Sequence, residues 1–204
     1  PWRRGMIDRR WNYGMVDRSL LTPTEQRDYF IKLAKPIREK ILALWWGNHE
    51  WSSFEEDEFE VDVCKRLNVP FIGSLGVIIL TVKNGKLKRT WRIWGCHGSY
   101  SGMRRGGAVN RLEDLSRKWE NIDIFLHAHN HMKDIFPGYR YYVNEETLEL
   151  ETKPIVYALT GCFQREYVLG HDTYMDKKPS PRSVRLGTIT LGLNLENGKI
   201  HAYE

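Results

Sequence analysis

The chain has 204 residues, of which 41% are hydrophobic and 28% are charged, and it contains 8 Trp and 10 Tyr. This composition excludes a disordered polar chain and indicates a globular domain that can bury a sizeable core. The formal net charge of +5 favours an anionic partner, although scattered basic residues are also typical of an ordinary solvated surface.

The cysteines and the apolar runs indicate the compartment. Cys64, Cys96 and Cys162 are far apart and form no C-x-x-C pair, a pattern typical of reduced thiols. No apolar run approaches the roughly 20 residues that a membrane span needs. The sequence therefore predicts a cytoplasmic protein that has no membrane partner.

The first third of the chain predicts two helices, each beside a short strand. A helix is expected from Thr22 or Thr24, either of which could cap it, until Pro36 kinks or ends it. A second helix is expected over 53–67, because Ser53 and Glu56 have capping-box spacing. The predicted apolar stripe of the first helix comprises Tyr29, Phe30, Leu33, Ala34 and Ile37, and the short strands cover 41–46 and 69–73.

The rest of the chain predicts mainly strands. Asn84-Gly85 predicts a hairpin turn, because both residues tolerate positive φ. A loop over 98–107 leads into a helix over 109–122. Strands are then predicted over 123–126, 139–144, 147–153 and 154–161, with a final strand pair over 184–203 that turns at Asn197-Gly198. Helices alternate with strands early and strands dominate late, which predicts an α/β sandwich in a single domain, 1–204.

Polar side chains follow three of the predicted strands. The strand 41–46 runs into Gly47-Asn48-His49-Glu50, the strand ending at 95 into His97-Gly98, and the strand 123–126 into a segment with three histidines, His127, His129 and His131. Ligands in open α/β sheets bind at the carboxyl ends of strands. Alternate residues of an extended segment share a face, so the three imidazoles are expected to crowd together, as metal ligands would.

Together these motifs resemble those of calcineurin-like metallophosphoesterases. That family shows GNH(D/E), then a single His that often precedes Gly, then GHxH, in this order and each after a strand. Gly47-Asn48-His49-Glu50, His97-Gly98 and Ala128-His129-Asn130-His131 match this order, and the resemblance covers roughly residues 8 to 170. It implies an αββα sandwich of two mixed sheets flanked by helices, in which the first strand is missing here.

The resemblance also implies a two-metal site that hydrolyses a phosphodiester or phosphomonoester. Two divalent ions such as Mn, Fe or Zn would be bound, one by Asn48, His97 and His129 and the other by His131. His49 would protonate the leaving oxygen. His127 stands outside the family's ligand set, so a hydrogen-bonding role and a simple packing role both stay open for it.

The amino-terminal motifs of the family are not found. No D-x-H precedes Gly47, and in the register of the second motif Gly5 stands where the metal-bridging Asp belongs. Asp8 then matches the last acidic position, where it would orient His49 or serve as an ordinary loop carboxylate. These departures predict an amino-terminally incomplete metallophosphoesterase, of the type found in phages or bacteria.

The substrate and the alternatives follow from the remaining residues. Arg104 and Arg105, in the Gly-rich loop after His97, would contact substrate phosphate, with nucleic acid among the candidate substrates, as in a nuclease; a flexible loop is the other interpretation. A non-catalytic scaffold with a degraded metal site is the alternative function. A structural zinc module ranks last, because ligands at i, i+2 and i+4 of one strand cannot close a tetrahedron.

Overall fold

The computed structural model describes residues 22–47, 59–98, 104–163, 169–170 and 185–203. These residues form a mixed α/β structure and fall into two compact units, which divide at Gly76. The first unit holds the described residues up to Gly76 together with 169–170, and the second holds those from Val77 to Phe163 and from 185 onwards. Among them, no helix has the length and apolar character needed to cross a membrane.

The first unit begins with α1 (Pro23–Ala34). The Thr22 hydroxyl accepts a hydrogen bond from the Glu25 N–H, and the Glu25 carboxylate accepts one from Thr22 in return. This capping box confirms the predicted cap at Thr22. The helix ends at Ala34, and a 3₁₀ helix (Lys35–Lys40) with Pro36 in its first turn continues the chain. The predicted end of the α-helix near Pro36 is therefore confirmed.

The apolar stripe predicted for α1 is mostly wrong. Tyr29, Phe30, Leu33 and Ile37 are 43–57% exposed, whereas the buried residues of this helix are Ile31 and Ala34. These two pack in one cluster with residues of α2 (Phe59–Leu67). The face of α1 that packs against α2 also carries Arg27, which pairs with Asp62 of α2 at 3.2 Å.

The two short strands predicted for the first unit form only a single bridge, between Leu44 and Phe71. They run parallel, and the backbone bonds Leu44 N–H to Pro70 O and Ile72 N–H to Leu44 O hold them together. The start of the predicted helix 53–67, with Ser53 and Glu56, lies outside the described residues. The observed helix α2 ends at Leu67, as predicted.

The second unit is built on one mixed sheet. Its hairpin of β1 (Leu75–Asn84) and β2 (Leu87–Cys96) turns at Gly85-Lys86, one residue later than predicted. Gly85 adopts φ +58°, a conformation that glycine takes without steric cost. The remaining strands are β3 (Ile124–His127), β4 (Lys133–Val143), β5 (Leu150–Cys162) and β6 (Gly187–Thr188).

The strand order is β1-β2-β3-β5-β4, with β6 paired to β5. β3 lies between β2 and β5 and runs parallel to both, whereas β4 is antiparallel to β5. The predicted separation of 147–153 from 154–161 is wrong, because β5 continues through Pro154. The ladder from β5 to β3 begins only at Val156, so Pro154 lies where β4 is the one described neighbour, and strands tolerate proline at such edges.

Within the described residues, one helix packs on this sheet. α3 (Arg105–Ser116) begins four residues before its predicted start at 109 and ends before the predicted 122. Its buried residues Ala108 and Leu112 pack in a cluster with Trp94, Phe125 and Tyr157 of the sheet. That burial outweighs the cost of about 1 kcal/mol that each glycine of its first turn imposes on a helix.

The predicted carboxyl-terminal strand pair over 184–203 is confirmed only from 190 onwards, as the antiparallel strands β7 (Thr190–Leu193) and β8 (Ile200–Tyr203), because β6 pairs with β5 instead. The loop between them covers six residues, and Gly198 adopts φ +75° in it. Arg89 of β2 donates to the loop carbonyls of Leu195 and Glu196 at 3.0 and 2.8 Å. The loop is therefore tied to the main sheet.

Candidate functional site

The candidate site lies at the carboxyl edge of the parallel strands. Cys96 of β2, His127 of β3 and Leu159 of β5 are aligned in register. Residues that directly follow Cys96 and His127 therefore leave the sheet side by side. The Ala128 N–H donates to the Cys96 carbonyl at 3.2 Å, which extends the pairing by one step.

This edge brings His97 and His129 together. The Nε2 atom of His97 lies 3.0 Å from the Nδ1 atom of His129. The two rings meet edge to face, with centroids 5.0 Å apart and an angle of 79°, and both side chains are half-buried. Two residues 32 positions apart in the sequence thus present ring nitrogens to the same point.

The segment after β3 is a tight turn, so the expected extended arrangement of three histidines is wrong. His129 and His131 adopt φ +66° and +61°, a left-handed conformation that is uncommon for residues other than glycine. The Asn130 side chain stabilises the turn, since its Oδ1 accepts the Met132 N–H at 2.9 Å. His127 therefore does not share a face with His129 in the way that strand alternation would require.

His127 is completely buried at the end of β3. Burial lowers the pKa of its imidazole; the Ala128 backbone opposes this shift, and the neighbouring charges of His129 and Arg111 add to it. The ring is therefore neutral at pH 7. Within the described residues its Nε2 atom has no hydrogen-bond partner.

The remaining predicted site residues are placed as follows. Arg104 is exposed and directly precedes α3. Arg105, the first residue of that helix, forms a bidentate ion pair with Asp134 of β4, in which its Nη2 lies 2.7 Å from Oδ1. His131 is half-buried in the turn after β3. Asn48, His49 and Asp8 lie outside the described residues.

The donor chemistry fits part of a metal site. Two imidazole nitrogens bound to one tetrahedral Zn²⁺ stand about 3.3 Å apart, close to the observed 3.0 Å between His97 and His129. In the parts of the chain that the structure describes, no three His, Cys, Asp or Glu side chains form a metal-binding group. The described residues thus offer a two-nitrogen donor pair.

Two residues that shape this edge stand in the matched motifs but were given no role from the sequence. Gly98 adopts φ +84°, and a Cβ atom on it would lie 2.2 Å from Nε2 of His127. Asn130 is 4% exposed and holds the turn between His129 and His131. A polar residue whose side chain binds the backbone two positions on is a turn signal, so Asn130 could have been found; the Gly98 contact has no local signal.

The sequence matches no known protein-family model, and no curated protein shows significant similarity to it. The site is therefore interpreted from its own residues.

Proposed function

We propose that this chain carries the site of a metal-dependent phosphoester hydrolase of the calcineurin-like type, on an αββα sandwich. The observation that supports it best is the 3.0 Å approach of His97 Nε2 and His129 Nδ1 at the carboxyl edge of parallel strands. The motif order in the sequence supports the same assignment.

The proposed roles follow the resemblance. His97 and His129 would bind one divalent ion together with Asn48, and His131 would bind a second. Bound ions would neutralise phosphate charge and lower the pKa of water. His49 would donate a proton to the leaving oxygen, and Asp8 would orient it.

Arg104 and Arg105 would bind the phosphate of the substrate. The Arg105 side chain is 72% exposed although it pairs with Asp134, whose side chain is 10% exposed. The ion pair holds the guanidinium of Arg105 in one place through Nε and Nη2, so it would meet phosphate as a fixed, always charged group. Phosphodiesters, including nucleic acids, are the proposed substrate class.

Hydrolysis of bis-p-nitrophenyl phosphate with added Mn²⁺ tests this proposal. We expect His97→Ala, His129→Ala and His49→Ala to lose most of the activity and EDTA to abolish it. His201→Ala is the matched control, because His201 is an exposed histidine of β8. Equal rates in all four variants and in the EDTA-treated protein would reject a hydrolase.

A non-catalytic scaffold is the second candidate. Its support is that His97 and His129 stand at hydrogen-bonding distance, so each ring can satisfy the other without a metal. Titration with Co²⁺ separates the two candidates, because histidine-bound Co²⁺ gives a visible absorption band. A scaffold shows neither this band nor hydrolysis.

A further inference from the structure

The least expected residue at the sheet edge is His127. Its side chain is completely buried, and its Nε2 atom lacks a hydrogen-bond partner within the described residues. Leaving a buried polar atom unpaired costs on the order of 1–3 kcal/mol. An apolar residue at the end of β3 would avoid this cost. The presence of a buried imidazole at this position therefore calls for a structural explanation.

The ring of His127 touches both turns that carry the candidate metal ligands. On one side it meets Gly98, where a Cβ atom would lie 2.2 Å from Nε2 and 2.4 Å from Cε1. Gly98 directly follows His97, and only a residue without a side chain fits against the ring there. The imidazole thus abuts the backbone of the first turn.

On the other side the ring meets the second turn. Its Nδ1 atom lies 3.4 Å from Nδ2 of Asn130. Asn130 in turn accepts the Met132 N–H and holds the left-handed turn in which His129 stands. One rigid, planar side chain therefore bridges the backbone after His97 and the side chain after His129.

We propose that His127 is a positioning residue: its buried ring spaces the two turns and thereby sets the contact between His97 and His129. The ring does this from the end of β3, with no role as a ligand. For metal binding, the inference rests on the proposed function. The spacing itself is a property of the metal-free protein.

The contact with Gly98 is tested by a double-mutant cycle. Gly98→Ala should lower the urea midpoint of unfolding more in the wild-type background than in a His127→Ala background, because the clash requires the ring. Gly85→Ala is the matched control: Gly85 also has positive φ, but a Cβ atom added to it would meet no atom within 4 Å. Equal losses in both backgrounds would overturn the contact.

The positioning role is tested by NMR on EDTA-treated, histidine-labelled protein. Ring centroids 5.0 Å apart predict a nuclear Overhauser effect between the ring protons of His97 and His129. We expect it to be lost in His127→Ala and kept in His201→Ala. His127→Gln, which keeps polar atoms but not the rigid ring, should weaken it and serves if His127→Ala does not fold. A folded variant that keeps the full effect would overturn the proposal.

Metal affinity gives a separate measurement. If the proposed function holds, His127→Ala should weaken Co²⁺ binding about 10- to 100-fold, the range found when residues that support metal ligands are removed. If the wild-type protein binds no Co²⁺, the proposed function is rejected but the positioning role of His127 is not. The Overhauser effect would still decide whether His127 positions the two histidines.

Discussion

Asp123, which directly precedes β3, connects three strands through one residue. Its carboxylate accepts the Arg92 N–H of β2 at 2.7 Å and pairs with Lys153 of β5 at 2.7 Å. Its backbone also bonds to Arg92 and Val156. Because the residue is 8% exposed, water cannot replace these partners when the side chain is removed.

We therefore predict that Asp123→Ala lowers the free energy of unfolding by about 2–3 kcal/mol, measured by urea denaturation. Lys153→Met should cost less, about 1 kcal/mol or below, since its ion pair is partly exposed. Asp114→Ala is the control, because the Asp114 side chain is 60% exposed and its ion pair with Arg117 is long, at 4.0 Å. Similar losses for Asp123→Ala and Asp114→Ala would contradict the argument.

At the residue scale, the sequence indicated which histidines share the sheet edge better than it indicated their backbone geometry. It indicated that His97 and His129 belong to one sheet edge, and they lie in contact. It failed for the segment after β3, where extended alternation was expected and the backbone turns left-handed at His129 and His131. The turn has a local signal in Asn130, whose side chain accepts the Met132 N–H two positions on, whereas the contact of His127 with Gly98 is tertiary and no local pattern reveals it.

At the scale of elements, two hairpins share one loop design. The loop 144–149 joins β4 to β5 and the loop 194–199 joins β7 to β8. Each begins with an asparagine whose Oδ1 accepts two backbone N–H groups of the loop. The fifth position has positive φ in both: it is Leu148 at +57° in the first loop and Gly198 at +75° in the second.

The comparison predicts that Leu148→Gly stabilises the protein. A leucine in the left-handed region costs about 1–2 kcal/mol, whereas the extra freedom of glycine in the unfolded chain offsets about 0.4–1 kcal/mol. We expect a net gain of about 0.5–1 kcal/mol in urea unfolding. The side chain is 80% exposed, so little packing is lost.

The controls for this prediction are nearby. Leu150→Gly should destabilise by about 0.5–1 kcal/mol, because Leu150 is similarly exposed, at 68%, but lies in strand β5. Gly198→Ala should also destabilise, since its φ is unfavourable for alanine and a Cβ would meet Arg89 at 2.4 Å. A loss of stability in Leu148→Gly would show that its φ carries no strain.

The helix pair of the first unit carries a pH-dependent contact. Arg66 of α2 donates to Asp28 of α1 at 2.6 Å, and this hydrogen bond holds the pKa of the Asp28 carboxyl below its usual value. A lowered folded-state pKa stabilises the fold above the unfolded pKa of about 3.9. The contribution is lost as the pH falls through the lower, folded-state value.

We predict that wild type is more stable than Asp28→Asn at about pH 6, and that this difference declines below about pH 3.9 and vanishes below the lower pKa of the folded state. Thermal unfolding across this pH range measures it. In an Arg66→Met background the difference should be smaller, because the strongest cause of the lowered pKa is gone and only the weaker pairing of Asp28 with Arg27 at 3.4 Å is left. An undiminished difference in that background would assign the effect to another group.

The predictability of the elements follows their local signals. The cap at Thr22, the interruption at Pro36 and the β1–β2 hairpin are encoded within a few residues, and the structure confirms them with a shift of one residue in the hairpin turn. The start of α3 and the continuity of β5 through Pro154 are not local. Both depend on burial against, or pairing with, strands distant in the sequence.

At the scale of the whole molecule, the sequence predicted the mixed α/β class and, as a separate expectation, a single domain. The described residues form two compact units with separate apolar clusters. Leu67 belongs to the cluster of the first unit and Leu112 to that of the second, and both are fully buried. Composition and periodicity cannot reveal such a division, because the apolar pattern of each unit by itself is typical of an ordinary hydrophobic core.

We predict that the two units lose protection against hydrogen exchange separately. Leu112→Ala and Leu67→Ala should each cost about 2–5 kcal/mol within their own clusters. Mass spectrometry of exchanged amides should then show faster exchange of β2, β3 and β5 in Leu112→Ala, and of α1 and α2 in Leu67→Ala, because local opening follows local contacts. Faster exchange throughout the described residues in both variants would instead indicate one cooperative domain, as the sequence alone predicts.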